Sequence, residues 1–215
     1  MDSEGRAGSS NSPSVDAVEV IDRRSHAGCT VRLHSGASFV IADKDVATLG
    51  LIAGGSVSEF DVERLRAFEA MRLIEAKSLD LLARRDHSVA ELQTKLIQRK
   101  FDRSLVARVC AQLGQSGYLD DDRFARAWLS RRIRRRAEGA LLLRAGLART
   151  GVPREIVSRV LSEELSEEYE EEAFQRAVGE LEGSGKRSAS TIVRRLSALG
   201  FSSSRIQSYL EKSAN

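Results

Sequence analysis

The sequence predicts a mainly helical protein: three tandem three-helix repeats in an elongated array, preceded by a small β-rich N-terminal module. Three observations carry this prediction. Aromatic residues are 5% of the 215 and prolines number two, too few for the strands and turns of a large β fold. Apolar spacing changes from alternation to a helical period near residue 59 and stays helical. From there a pattern of apolar residues and breaks recurs at intervals of 51 and 49 residues.

The N-terminal MDSEGRAGSSNSPS has no apolar core. Residues 1–14 are therefore expected to be a disordered tail rather than a signal peptide. Residues 15–58 form the β-rich module. VEVID alternates as a strand, and CTVRLHSGASFVIA as a hairpin whose turn is His34–Ala37, with Gly36 free to take positive φ. Asp43 or Asp45 is expected to cap a short helix ending near Gly50, and SVSEFD to start the next element.

Three later stretches align: HSVAELQTKLIQRKFDRSLVARVCAQL, EGALLLRAGLARTGVPREIVSRVLSEEL and RSASTIVRRLSALGFSSSRIQSYLEKS. Leu92, Leu143 and Ile192 correspond, then Leu96, Leu147 and Leu196, then Phe101, Val152 and Phe201, then Val106, Val157 and Ile206. Each stretch reads as a short helix, a tight break and a second helix. Gly151 and Gly200 sit where a left-handed residue ends a helix, with Lys100 in that place in the first repeat. Asp102, Pro153 and Ser202 then suit a helix start. A longer helix precedes each pair, at about 60–85, 121–136 and 167–182. The repeats span 59–119, 120–165 and 166–215.

The formal net charge is +3, but it is unevenly distributed. Residues 120–161 carry eleven basic and five acidic side chains, residues 162–182 one and nine, and residues 183–215 six and one. Blocks of this kind suit a polyanion or a charged protein partner. Cys29 and Cys110 are far apart and read as buried thiols, which suits a reducing, cytoplasmic setting. No apolar run approaches the ~20 residues that cross a bilayer, so no membrane association is expected.

The most unusual stretch is SGYLDDDRFARAWLSRRIRRR at 116–136. Gly117 suits a helix C-terminal cap, with Tyr118 and Leu119 packing back. Asp120 can cap the next helix, and Asp121 and Asp122 fall in its first turn, where the dipole favours negative charge. That use accounts for all three acids and leaves no converging ligand set for a metal. At about 100° per residue from Arg123, Arg126 falls near 300°, Arg131 near 80° and Arg134 near 20°, opposite Phe124, Ala125, Trp128 and Leu129. Arg132 and Arg135 lie nearer the apolar side, so they either snorkel or mark the helix end. Trp128 reads as core. An arginine face without acids suits phosphate or carboxylate forks, in nucleic acid or in an acidic protein.

Further basic residues recur near the ends of the short helices: Arg84 and Arg85, Arg99, Lys100 and Arg103, Arg144, Arg149, Arg154, Lys186 and Arg187, Arg194 and Arg195. Stacked repeats would gather them into a stripe. The acidic run EELSEEYEEEAFQRAVGELE reads as an amphipathic helix, its acidic face either solvated or paired with a neighbouring basic repeat, or else a DNA-mimicking or partner-binding face. Ser88 and Glu91 form a capping box with His87 before it. There is no GxxxxGK[ST] loop, no glycine-rich dinucleotide loop and no constellation for nucleophilic or acid–base chemistry. No catalytic, cofactor-binding or metal-binding residue is expected.

GYLDDDRFARAW at 117–128 with its arginine-rich helix end, and LLARRDHSVAELQTKLIQRKFD at 81–102, resemble the RecX family, small bacterial regulators of the RecA recombinase. The resemblance covers about residues 65–213, and residues 15–58 look like a β-rich extension that some members carry. It implies a fold of tandem three-helix repeats, no enzymatic activity and no cofactor. It also implies binding to RecA filaments on single-stranded DNA, limiting their growth or promoting their disassembly, and so lowering ATPase, strand exchange and co-protease activity. A monomer is expected. The candidate contacts to RecA or nucleic acid are Arg123, Arg126, Arg131, Arg134 and Arg135, with Arg84, Arg85, Arg99, Lys100, Arg144, Arg149, Arg194 and Arg195. Two other readings compete: a stand-alone helical DNA-binding or transcription-regulating protein, and a metal-dependent nuclease built on Asp120–Asp122.

Overall fold

The computed structural model describes residues 14–24, 28–183 and 188–213. The predicted tail, up to residue 13, and Lys186 and Arg187 lie outside the described residues. Four strands and ten helices occur among those described. They group into two compact units, one running to Asp80 and including Arg99–Val109, the other containing Leu81–Gln98 and everything described from Cys110 on.

The first unit is built on alternation. Strands β1 (Ser14–Arg24), β2 (Gly28–Leu33), β3 (Ser38–Ile41) and β4 (Ser56–Ser58) form an antiparallel sheet of order β3-β2-β1-β4. Val18, Cys29, Val31, Leu33, Phe39, Ile41 and Val57 point to one buried cluster. The predicted hairpin is present, closed by Leu33 N–H to Ala37 O (2.8 Å), with Gly36 at φ +88°. β4 was not foreseen, because three residues are too few to display a period of two. Helix α1 (Asp43–Leu49) ends at Gly50, φ +63°, as expected. Neither Asp43 nor Asp45 caps it: the N-cap is Ala42, and both acids lie in the first turn, where the dipole favours them without a capping bond. Asp43 instead accepts a hydrogen bond from the Cys29 thiol.

Helix α2 (Glu59–Leu82) starts on a reciprocal box. The Ser58 hydroxyl accepts the Asp61 N–H (3.2 Å), and the Asp61 carboxylate accepts the Ser58 N–H (3.1 Å). Leu65 of α2 closes the sheet's core, with Val62 and Phe68 packed beside it. The helix stops three residues short of the predicted 85, so Arg84 and Arg85 lie in the following turn. Also in this unit, Lys100 takes φ +69° and Asp102 caps α4 (Arg103–Gln115), accepting the N–H groups of Ser104 (2.9 Å) and Leu105 (3.0 Å).

The second unit contains α3 (Val89–Gln98), α5 (Asp121–Ile133), α6 (Ala140–Arg149), α7 (Arg154–Glu164), α8 (Glu167–Glu182), α9 (Ala189–Ala198) and α10 (Ser203–Ser213). The aligned apolar positions are core positions, except Phe101, which is half-buried. Leu143, Leu147, Val152 and Val157 share a cluster with Phe124 and Leu129. Leu196, Phe201 and Ile206, with Ile192 at its edge, share another with Phe174 and Leu181. Leu92, Leu96 and Val106 are fully buried as well. The Phe174 and Phe201 rings meet edge to face, 5.2 Å between centroids, a geometry worth about 1 kcal/mol beyond the area it buries.

The breaks serve a second purpose. The Ser88 hydroxyl donates to the Thr150 carbonyl (2.5 Å), and a Cβ on Gly151 (φ +78°) would lie 2.3 Å from the Ala90 Cβ. One repeat further on, Gly139 N–H donates to Leu199 O (2.8 Å), and a Cβ on Gly200 (φ +85°) would lie 2.3 Å from the Leu142 nitrogen. Thus the start of one repeat's second helix seats on the left-handed break of the next, twice. Lys100 holds the same conformation with its side chain exposed.

Candidate functional site

The aspartates of the 116–136 stretch each have a structural partner. Gly117 (φ +75°) ends α4, with Tyr118 N–H returning to Leu113 O (2.9 Å). Leu119 packs back as predicted, at 4% exposed, but Tyr118 does not, at 57%. The turn returns the Tyr118 amide to the helix and sends its ring to solvent. Asp120 caps α5, accepting from Asp122 N–H (2.9 Å) and Arg123 N–H (3.0 Å). Asp121 accepts the Val89 N–H at the start of α3 (2.9 Å), and its burial pushes its carboxyl pKa up. Asp122 pairs with Arg126 (2.7 Å) and Arg159 (2.5 Å), which hold its carboxyl below the usual range. No group of three His, Cys, Asp or Glu side chains converges as a metal site among the described residues.

The four arginines of the predicted face divide. Arg123 donates to the carbonyls of Gly117 and Tyr118, both at 3.2 Å, tying α5 to the turn before it. Arg126 is held by Asp122, Glu163 and Glu164. Arg134, the C-cap of α5, donates to Ser130 O (3.0 Å) and Oγ (2.8 Å). Arg131 is exposed and forms no ion pair among the described residues. α5 ends at Ile133, not 136, so Arg135 and Arg136 leave the helical wheel.

That early ending gathers a different set. Trp128, Arg131, Arg132, Arg135 and Arg136 line a cavity of about 240 Å³. The Arg132 guanidinium lies over the Trp128 ring, 5.4 Å from its centroid. It also pairs at 2.6 Å with Glu138, 2% exposed, to which Arg136 approaches at 4.0 Å. Of the two alternatives for Arg132 and Arg135, Arg132 takes the first, lying along an aromatic ring, and Arg135 falls beyond the helix end. Trp128 is half-buried against the α5–α7 core, and a Cβ on Gly146 would collide with its ring at 2.5 Å. Four arginines thus line one cavity, and the one carboxylate paired with any of them is that of Glu138, among the described residues. Arg132, Arg136 and Trp128 were missed as site residues because the wheel assigned them to the apolar side or beyond it. The readable signal was the four-residue spacing of Trp128 and Arg132, with an acid, Glu138, just past the helix.

The remaining candidates lie elsewhere. Arg85, which bonds Asp86 O and Glu91 (both 3.0 Å), lines a cavity of about 400 Å³ with Lys95 and Arg149, where α3 meets the end of α6. Arg144 donates to Ser158 Oγ (3.0 Å). Arg194 and Arg195 line a cavity of about 560 Å³ with Ala177 and Leu181 of α8. Arg84, Arg99 and Lys100 are exposed, the last two in the first unit. The acidic run pairs inside its own unit: Glu163 and Glu164 with Arg126, Glu170 and Glu171 with Arg205, and Glu182 with the Tyr209 hydroxyl (2.6 Å). No helix among the described residues is long and apolar enough to cross a membrane.

Residues 76–113 match a family model for the first three-helix domain of RecX, and residues 120–161 one for its second three-helix domain. The regulatory protein RecX of Chlorobaculum tepidum is 31% identical over 124 residues, which is 58% of this chain and 78% of that protein. That of Chlorobium phaeobacteroides is 29% identical over 135 residues, 63% of this chain and 89% of that one. A crystal structure of regulatory protein RecX superposes with a TM-score of 0.78 at 16% identity, covering 92% of this chain and all of the other. RecX from Lactobacillus salivarius gives 0.57 at 14% identity, covering 66% of this chain and 96% of the other. At those identities the two structures show a shared fold.

Proposed function

The chain belongs to the RecX family of regulatory proteins, and from that premise we propose that it regulates RecA by binding RecA filaments on single-stranded DNA. It acts without a cofactor and by occupancy rather than by catalysis. Seated on the filament as a monomer in the cytoplasm, it limits growth or promotes disassembly, lowering ATPase, strand exchange and co-protease activity.

The observation that supports this best is the arginine cavity at the end of α5. Four arginines line it, and Glu138 pairs with two of them, Arg132 at 2.6 Å and Arg136 at 4.0 Å. A nucleoprotein filament offers both phosphates and carboxylates to such a cluster. Arg131 and Arg135 are the groups best placed to meet it, since they carry no internal ion pair among the described residues. Phosphate contacts release counterions, so binding should weaken steeply with salt.

The test is co-sedimentation with RecA filaments on single-stranded DNA across a salt series. Arg131→Gln/Arg135→Gln should weaken binding and flatten the salt slope while leaving helicity unchanged. Wild-type affinity and slope in that variant would refute the role given to this cavity. Tight sequence-specific binding to naked duplex without RecA would favour the stand-alone DNA-binding alternative.

A further inference from the structure

A basic surface suffices for filament binding, yet the cavity at the end of α5 is more than basic. It contains the one tryptophan of the chain. The ring of Trp128 is fixed on one side, filling the space that a side chain at Gly146 would need. A planar cation, Arg132, lies over it, and Glu138 anchors that cation from within the protein. Arg131 and Arg135 stand beside this pair, both exposed. Both line the same small cavity, so one phosphate seated in it meets two guanidinium forks.

We propose that the cavity is a subsite for one unstacked nucleotide of a single strand, with its base against the Trp128–Arg132 pair and its phosphate on Arg131 and Arg135, and that Glu138 is the internal competing anion that sets its affinity. The proposal deepens the filament reading by saying what the cavity takes from the strand. Unpaired bases stack on aromatic rings and guanidinium planes. A duplex keeps its bases inside the stack. An acidic peptide satisfies the arginine forks but has no flat group for the ring. Glu138 is 2% exposed, so salt screens it little. It lowers the cavity's charge from four arginines to a net +3 at every ionic strength and holds Arg132 back from the phosphate.

Trp128 is its own reporter. The full chain, without RecA, is titrated with a dT oligonucleotide while indole fluorescence is followed, with inorganic polyphosphate and polyglutamate as controls. Saturable quenching by the oligonucleotide alone is expected. Arg131→Gln/Arg135→Gln and Trp128→Leu should each weaken binding of a labelled oligonucleotide about five-fold or more, the lower end of what one stacked base contributes. Trp128→Phe, which keeps an aromatic ring, should bind more tightly than Trp128→Leu, which separates lost stacking from lost folding. Glu138→Gln, which keeps an acceptor for Arg132, should tighten binding several-fold. Equal quenching by polyphosphate would reduce the site to an anion hole and overturn the stacking. Preference for polyglutamate would assign the cavity to an acidic protein and overturn the proposal, as would wild-type affinity in both the arginine and Trp128→Leu variants. Because RecA is absent, failure here leaves RecA regulation standing, and failure of the filament assay leaves this subsite standing.

Discussion

The Ser88 hydroxyl donates to the Thr150 carbonyl oxygen at 2.5 Å, and the Gly139 N–H donates to the Leu199 carbonyl oxygen at 2.8 Å. These are the same joint, displaced by one repeat. In each, the first turn of a short helix seats on the left-handed residue that ends the next repeat's short helix. Gly151 and Gly200 are therefore constrained twice, by φ and by space, whereas Lys100 is constrained by φ alone.

The two constraints separate by substitution. Gly200→Ala places a methyl 2.3 Å from the Leu142 nitrogen in a left-handed conformation. It should cost at least about 2 kcal/mol, from strain plus a forced shift of backbone. Lys100→Gly removes the strain with nothing displaced and should be neutral or stabilising by up to about 1 kcal/mol, the gain being offset by glycine's unfolded-state entropy. Urea midpoints of the two variants check this, and equal effects would show that the joint adds no constraint.

The Arg132–Glu138 pair should be asymmetric. Glu138 is 2% exposed and the Arg132 side chain 34%. Arg132→Ala leaves a buried carboxylate with only Arg136, 4.0 Å away, and should cost about 3 kcal/mol. Glu138→Ala leaves a cation that can reach water and should cost less, about 1–2 kcal/mol. The double variant should recover part of the Arg132→Ala loss in a denaturation cycle.

His87 predicts a pH dependence. It is 3% exposed beside the Ser88 joint, and burial pushes its pKa below the ordinary 6.5, more than the Glu91 carboxylate at 3.2 Å raises it. Between the folded and unfolded values the unfolded chain binds the extra proton, so stability rises with pH across that window. It is complete above 6.5 and falls as pH drops below it. Melting temperature should decline from pH 7.5 to 5.5, and His87→Gln should flatten the decline. An unchanged slope in that variant would remove His87 as its cause.

Both thiols should be silent until the chain unfolds. Cys29 and Cys110 are 0% and 2% exposed, and burial pushes the Cys110 thiol up to about 11. Iodoacetamide at pH 8 should label neither in the native protein and both in urea. Native labelling at wild-type stability would contradict the burial.

The repeat register was legible because each aligned position had to be apolar in a helix–break–helix unit, and a break needs either glycine or a tolerated left-handed residue. Leu96, Leu147 and Leu196, all 0% exposed, show how strict that requirement is. The arginine site was less legible. A wheel assumes that the helix continues, yet α5 stops at Ile133, and the residues beyond it regroup around Trp128. Nor does a wheel show partners distant in sequence. Glu163 and Glu164 neutralise Arg126 from 37 and 38 residues away, a pairing only the fold reveals. Strand β4 is three residues long, too short to show a period, and the direction of the Tyr118 ring is set by the geometry of its turn.

The role proposed for this chain is to restrain RecA on single-stranded DNA. RecA's ATPase rate on single-stranded DNA, with and without this protein at a low molar ratio, tests it most directly. A progressive fall in rate, relieved in Arg131→Gln/Arg135→Gln, is the predicted result. An ATPase rate unchanged up to equimolar protein would contradict it.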